Sequence, residues 1–325
     1  MILVCGEALI DLVPLPGGGE PRAGNAPGGG GEPAYVARAG GSSFNVAMGL
    51  GRLGTPVGFL GRVSRDPFGQ MLRRRLEADG VDCRFVQEGD EPSTLAIVHL
   101  EAGAEPVYAF HGEGTADRLL RVEDLPATFP AEVSALHLGS ISMVREPGAS
   151  AFEAVMRREH GRRVLSLDPN VRPSLVGERS AYVARLEGWV SLADVVKVSQ
   201  ADLAWLYPGA APDIVAASWL ARGPGLVVVT RGHDGSFALT ARARVEVAGT
   251  PVKVSDTVGA GDAFTSGLLA WLHEAGRLEL TRVREIPADA LHACLTFANR
   301  AAAITCTRAG AQPPTRSEME NTEID

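Results

Sequence analysis

Lysine is almost missing from this 325-residue chain: Lys197 and Lys253 are the only two, and arginine carries the rest of the positive charge. The formal net charge is -8 at pH 7, which argues against a basic footprint, so neither nucleic acid nor an anionic membrane is expected as a partner. Long apolar runs are missing too. No stretch reaches the roughly 18 residues of a membrane span, and Met1 leads straight into Ile2-Leu3-Val4 with no basic leader segment, so a cytoplasmic protein, mature as written, is expected. Cysteine is sparse: Cys5, Cys83, Cys294 and Cys306 are scattered, with no Cys-x-x-Cys pair and no histidine at ligand spacing. That excludes the usual transition-metal sites and suits a reducing compartment. Two phosphate-binding signatures are absent as well, the lysine-bearing Gly-x4-Gly-Lys-Ser/Thr loop and a Gly-x-Gly-x-x-Gly after the first strand. An anionic substrate must therefore be met by backbone N–H groups, arginine or a metal.

What is present is an alternation. Short apolar runs at 1 to 6, 57 to 61, 135 to 139, 163 to 168, 194 to 198 and 226 to 230 read as buried strands. Helical periodicity marks 43 to 53, 67 to 79, 147 to 160, 179 to 192, 213 to 222, 262 to 275 and 287 to 306. This predicts an α/β fold with a mainly parallel sheet between helices, organised as one domain over 1–325. Residues 11 to 40 and 93 to 112 break the alternation with short strands and no intervening helix, as a small inserted sheet or lid requires. Inside the first lies a Gly-rich tract, 16 to 31, which no helix follows, so it is expected to be a mobile connector rather than a phosphate cradle. The tail after Gly310, rich in Pro, Thr and Glu, is expected to be loosely held.

The chemistry gathers at strand ends and helix starts. Asp256-Thr257-Val258-Gly259-Ala260-Gly261-Asp262 opens a helix whose Phe264, Leu268, Trp271, Leu272 and Ala275 share a face. Asp262 thus falls in a first turn where unpaired N–H groups and the positive dipole end collect. A phosphate in transfer can be stabilised there while the carboxylate accepts a hydroxyl proton, although a plain dipole-complementing Asp has the same local sequence. Gly40-Gly41-Ser42-Ser43-Phe44-Asn45 repeats the arrangement: Ser42 or Ser43 can cap the helix, and Asn45 offers donor and acceptor to vicinal hydroxyls. Asp11, just past an apolar strand, can accept from two hydroxyls or serve an ordinary turn. In Asp168-Pro169-Asn170-Val171-Arg172, the arginine can clamp a phosphate, while the turn alone would explain the Asp and Asn. Asp202 can hold a magnesium-bound water or simply occupy a first helical turn. Thr230 with Gly232 and Gly235 follows a buried strand and can meet nucleotide phosphates. Small apolar residues around Asn299 can wall an adenine or pack a core.

In order and spacing these motifs, Gly-Gly-x-x-x-Asn, Asp-x-Asn-x-Arg, Thr-Arg-Gly and Asp-Thr-x-Gly-Ala-Gly-Asp-x-Phe, resemble the ribokinase-like (pfkB-type) carbohydrate kinases over nearly the whole chain. Gly-Glu-Ala-Leu-Ile-Asp, Gly-Gly-Ser-Ser-Phe-Asn-Val-Ala and Asp-Pro-Asn-Val-Arg-Pro are most similar to bacterial fructokinases. The resemblance implies a three-layer α/β/α fold with a β-lid that pairs across a homodimer, and ATP-dependent phosphorylation of a sugar hydroxyl with Mg2+ and a potassium-like cation. It assigns Asp262 as base and Gly259, Ala260 and Gly261 as anion hole. Asp11, Gly40, Gly41 and Asn45 would hold the sugar, with Arg172 reaching it or the transferring phosphate. Lys197, Ser199, Thr230, Gly232, Gly235 and Asn299 would line the nucleotide side, and Asp256 and Thr257 would meet the monovalent cation. Lid side chains such as Tyr108, Phe110 and His111 would select the acceptor, leaving 2-keto-3-deoxygluconate, ribose or a nucleoside as alternatives to fructose. A sugar sensor without activity is the alternative from another class. Where many relatives carry Asn-x-x-Glu, this chain has Ser199-Gln200-Ala201-Asp202, which puts the metal-water role on a shorter carboxylate.

Overall fold

Successive residues of the apolar strands bury into opposite layers. Ile2 and Val4 enter one core and Leu3 and Cys5 the other; Val195 and Val228 join the first, Val196, Val227 and Val229 the second. A strand whose two faces are both apolar has to lie inside, covered on both sides. The computed structural model describes residues 1–15, 34–99 and 107–322, with the backbone alone for His99, Val107 and Tyr108. The Gly-rich tract at 16 to 31 lies outside the described residues.

The main sheet has nine strands in the order β13-β12-β11-β10-β9-β8-β1-β4-β5. These are β1 (Ile2–Cys5), β4 (Val57–Ser64), β5 (Val86–Gly89), β8 (Ala135–Gly139), β9 (Val164–Asp168), β10 (Val195–Ser199), β11 (Leu226–Thr230), β12 (Ser236–Leu239) and β13 (Arg244–Val247). All pairings are parallel except β11 with β12 and β12 with β13. One face packs on α1 (Ser42–Arg52), α2 (Pro67–Ala78), α7 (Ala260–Glu274) and α8 (Ala288–Cys306). The other packs on α3 (Gly148–Glu159), α4 (Arg179–Leu192), α5 (Gln200–Leu206) and α6 (Pro212–Leu220). Wholly buried anchors such as Phe44, Phe152, Trp189 and Trp219 fill the two layers, each apolar side chain of this size adding about 1.5–3 kcal/mol.

A second sheet of four strands runs β3-β2-β6-β7, from β2 (Leu9–Pro14), β3 (Tyr35–Gly40), β6 (Leu95–His99) and β7 (Val107–His111). Both regions that break the helix and strand alternation supply it. Asp11 does not follow a strand in a turn, as its sequence context suggested. It lies inside β2, opposite Arg38 of β3, because the chain passes from one sheet to the other within four residues of Cys5. The tail differs from expectation too. A last helix, α9 (Arg316–Asn321), begins at a Thr315–Glu318 capping box, buries Met319 and is held by Arg300, which donates to Met319 O at 2.8 Å.

Candidate active site

The functional side chains sit where strands end and helices begin. Gly259 adopts the left-handed conformation (φ 76°) that turns the chain into α7, and no side chain among the described residues caps that helix. Ala260 N donates to Thr257 O at 3.2 Å. The N–H groups of Gly259, Gly261 and Asp262 have no partner among the described residues, so they, rather than Ala260, remain open to an anion.

Asp262 is 7% exposed, and each of its oxygens accepts one hydrogen bond: Oδ1 from Ser42 Oγ at 2.6 Å, Oδ2 from Asn45 Nδ2 at 2.8 Å. Burial pushes its pKa up. Ser42, Asn45 and the Lys197 ammonium pull it back down, and Asp168 pushes it further up. Both donors stand in the first turn of α1. Neither serine caps that helix, contrary to expectation, because Glu7 does so from outside. The buried Glu7 Oε1 accepts from Ser42 N (2.8 Å) and Ser43 N (3.3 Å), and Glu7 O accepts from Phe44 N (3.2 Å). Its Oε2 accepts from Ser43 Oγ and Ser142 Oγ.

Asp11 comes within reach of the same centre. Burial raises its pKa to about 6, with repulsion from Asp262 adding and attraction to Arg172 opposing. Gly40 makes room for it, since a Cβ there would come within 2.1 Å of Asp11 Oδ2. A cavity of about 730 Å³ extends from Asp11 between the small sheet, Met48 of α1, Met71 of α2 and the loops carrying Asp256 and Gly310. The Asp256 carboxylate ties those loops together by accepting from Val258 N (3.0 Å) and Gly310 N (2.7 Å). Phe110 packs with Leu9, Ala96, Ile141 and Leu175 beneath the small sheet; Tyr108 is in β7, with its side chain outside the described set.

Behind the open end of α7 lies a buried ion pair. Lys197 Nζ donates to Asp168 Oδ2 at 2.8 Å, and Thr265 Oγ1 donates to the same oxygen at 3.3 Å. Burial opposes the Lys197 charge more than any other single effect, yet Asp168, Asp202 and Asp262 together hold its pKa above the ordinary value. A Cβ on Gly261 would lie 3.3 Å from Lys197 Nζ, so the ammonium backs directly onto the glycine turn. Ser199 caps α5 by accepting from Asp202 N at 2.9 Å, while Asp202 Oδ1 accepts from Val171 N at 3.1 Å. Thr230 ends β11. Gly235 is left-handed (φ 89°) and backs onto Val247 O, and Asn299 donates to Ala248 O at 3.4 Å, so the far strand end and α8 meet around one loop. Gly232 is left-handed as well (φ 59°).

Glu7 and the Ser42 to Asn170 contact were not singled out in the sequence, and Asp168, noted there as a turn residue, was not matched to Lys197. A lone carboxylate inside the apolar run Gly6-Glu7-Ala8-Leu9-Ile10 was the available signal for the first.

Residues 1–318 match the pfkB family carbohydrate kinases. This chain belongs to that family. A fructokinase of Rhizobium leguminosarum bv. trifolii is 39% identical over 291 residues, covering 90% of this chain and 85% of its own length. Among solved structures, the fructokinase of Xylella fastidiosa with bound ATP superposes with a TM-score of 0.86 at 30% identity, covering 98% of this chain and 96% of that one. The Vibrio cholerae O395 fructokinase in a fructose, ADP and calcium ion bound form follows with a TM-score of 0.80 at 28% identity, covering 98% and 97%. The pfkB chain described here has their ribokinase-like α/β fold, and its Gly-Gly-x-x-x-Asn and Gly-Ala-Gly-Asp motifs meet at Asp262. No helix among the described residues is long and apolar enough to cross a membrane.

Proposed function

We propose that this pfkB kinase is an ATP-dependent fructokinase, with Asp262 as general base and the N–H groups of Gly259, Gly261 and Asp262 as anion hole. The observation that carries the reading is an uncapped helix end beside a carboxylate already oriented by two donors. In the reaction, a sugar hydroxyl oxygen attacks the γ-phosphorus and its proton passes to Asp262. The bond to the β,γ-bridging oxygen breaks, and ADP leaves. Asp11 and Asn45, with room left by Gly40 and Gly41, hold the sugar; Arg172 reaches the transferring phosphate. Thr230, Gly232, Gly235 and Asn299 face the nucleotide. Fructose is favoured by the fructokinases among the relatives of this chain, one of them solved in a fructose, ADP and calcium ion bound form.

Magnesium enters such sites on the phosphates and keeps several waters. Its proposed anchor through water is Asp202, which retains lone pairs after accepting from Val171 N (3.1 Å) and Ser199 N (3.4 Å). For a monovalent cation, Asp256 and Thr257 supply hard oxygen donors between two loops, and a Vibrio cholerae fructokinase double mutant has been solved in a potassium ion bound form. Leu15, Tyr35 and Val36, 46%, 40% and 36% exposed at one end of β2 and β3, support a homodimer through the small sheet. Free Cys5, Cys83, Cys294 and Cys306 suit the cytoplasm.

The test is ADP release with ATP and magnesium over a panel of fructose, ribose, 2-keto-3-deoxygluconate and a nucleoside. Fructose is expected to give the highest kcat/KM. Preference for another member would reassign the acceptor, and no sugar-dependent ADP from any of them would defeat the kinase reading.

A further inference from the structure

Ser42 stands at the centre of a chain of hydrogen bonds that joins three separate segments, the loop after β9, α1 and α7. Arg172 Nη1 lies 2.6 Å from the side-chain oxygen of Asn170, Asn170 Nδ2 lies 2.8 Å from Ser42 Oγ, and Ser42 Oγ lies 2.6 Å from Asp262 Oδ1. The direction of every proton in that chain follows from one end. A guanidinium only donates, so the Asn170 atom facing it has to be the carbonyl oxygen. The Asn170 amide NH2 then faces Ser42 and donates. A hydroxyl that accepts there directs its own proton to Asp262. The Ser42 backbone is fixed by its N–H to Glu7 Oε1 at 2.8 Å, and Asn170 holds its place in a left-handed conformation (φ 39°) that asparagine tolerates better than most residues. With Asn45 on the other oxygen, neither carboxylate oxygen of Asp262 is free to rotate away.

We propose that Ser42 is a positioning residue for proton transfer: its hydroxyl, polarised through Asn170 and Arg172, holds the Asp262 carboxylate in its working orientation. The proposal rests on Asp262 being the base. The charged groups around that carboxylate are Asp168 of β9, Lys197 of β10 and Asp11 of β2, with Arg172 offsetting Asp11. None of them is bonded to the Ser42 hydroxyl, whose one bond to a titratable group is the donation to Asp262. A carboxylate that loses a donor binds its proton more tightly.

The experiment is a carboxyl-carbon NMR titration of the full-length protein labelled in aspartate, with Asp262→Asn assigning the resonance, beside a pH profile of kcat for ATP and fructose. In Ser42→Ala the Asp262 midpoint is expected to rise by about one pH unit. The acid limb of kcat should move with it, and kcat near neutral pH should fall about tenfold. Ser42→Thr keeps the hydroxyl and should restore both. Should Ser42→Ala fail to fold, Asn170→Ala frees the Ser42 proton without touching α1 and must move the midpoint the same way. An unmoved midpoint in the folded variants overturns the proposal. Wild-type protein with no turnover on fructose would instead defeat the functional reading, while the titration would still decide the role of Ser42.

Discussion

Helices α1 and α7 start alike, each after a glycine turn with a polar first turn, and their ends are finished in opposite ways. At α1 the carboxylate and carbonyl of Glu7 take the N–H groups of Ser42, Ser43 and Phe44. At α7 none of the described residues caps the helix, and among them the N–H groups of Gly259, Gly261 and Asp262 find no acceptor. An internal carboxylate has closed one positive helix end and left the other for a ligand. The closed helix then serves the open one, since Ser42 and Asn45 donate to Asp262. A glycine turn before a helix therefore does not identify an anion site by itself; what decides is whether the fold brings a cap to it.

The strongest way to break the contrast is Asp262→Asn, which keeps the shape of α7 and removes the base. Turnover should fall by about 10²–10⁴-fold, while calorimetry finds ATP and sugar binding near wild type. Glu7→Ala should open the end of α1. It strips a buried acceptor from two backbone and two hydroxyl donors, at a cost of about 3 kcal/mol that a thermal melt will read as a lower Tm. Gly259→Ala disturbs the open end by forcing a left-handed alanine, about 1–2 kcal/mol, with its Cβ 2.5 Å from that of Ala311. The KM for ATP should rise more than that for sugar. The mildest effect is on Asp11. Because its pKa is raised to about 6, it is ionised above that pH and takes up a proton as pH falls through it. The KM for sugar should rise several-fold between about pH 7 and pH 5, and Asp11→Asn should flatten the profile. The same sign means that ionising Asp11 in the folded protein costs stability as pH rises.

The two layers and most helix boundaries were legible because apolar periodicity is local. β1 and β11 read as continuous aliphatic runs, β8 and β9 as apolar runs broken once by His137 and Ser166, and α7 and α8 as amphipathic faces. The carboxylate and glycines of α7 were legible for the same reason, since one turn of chain carries them. What escaped depends on contacts between distant segments. Glu7 caps α1 across 35 residues, Lys197 pairs with Asp168 across 29, and Asn170 meets Ser42 across 128. Composition pointed the wrong way at the tail: Pro, Thr and Glu after Gly310 looked loosely held, yet Thr315 and Glu318 form a capping box and Arg308 pairs with Glu318. Asp11 was recognised as a ligand-type carboxylate but assigned to the wrong element, because a switch between sheets leaves no periodicity of its own.

The near-absence of lysine has a practical side. Lys197 is sealed behind α7 as the partner of Asp168, whereas Lys253 is exposed in the loop between β13 and α7. Of the two lysine side chains, an amine-directed reagent therefore meets Lys253. A dye or a surface tether coupled to lysine would then sit at one defined place in the loop between β13 and α7, without any engineered residue.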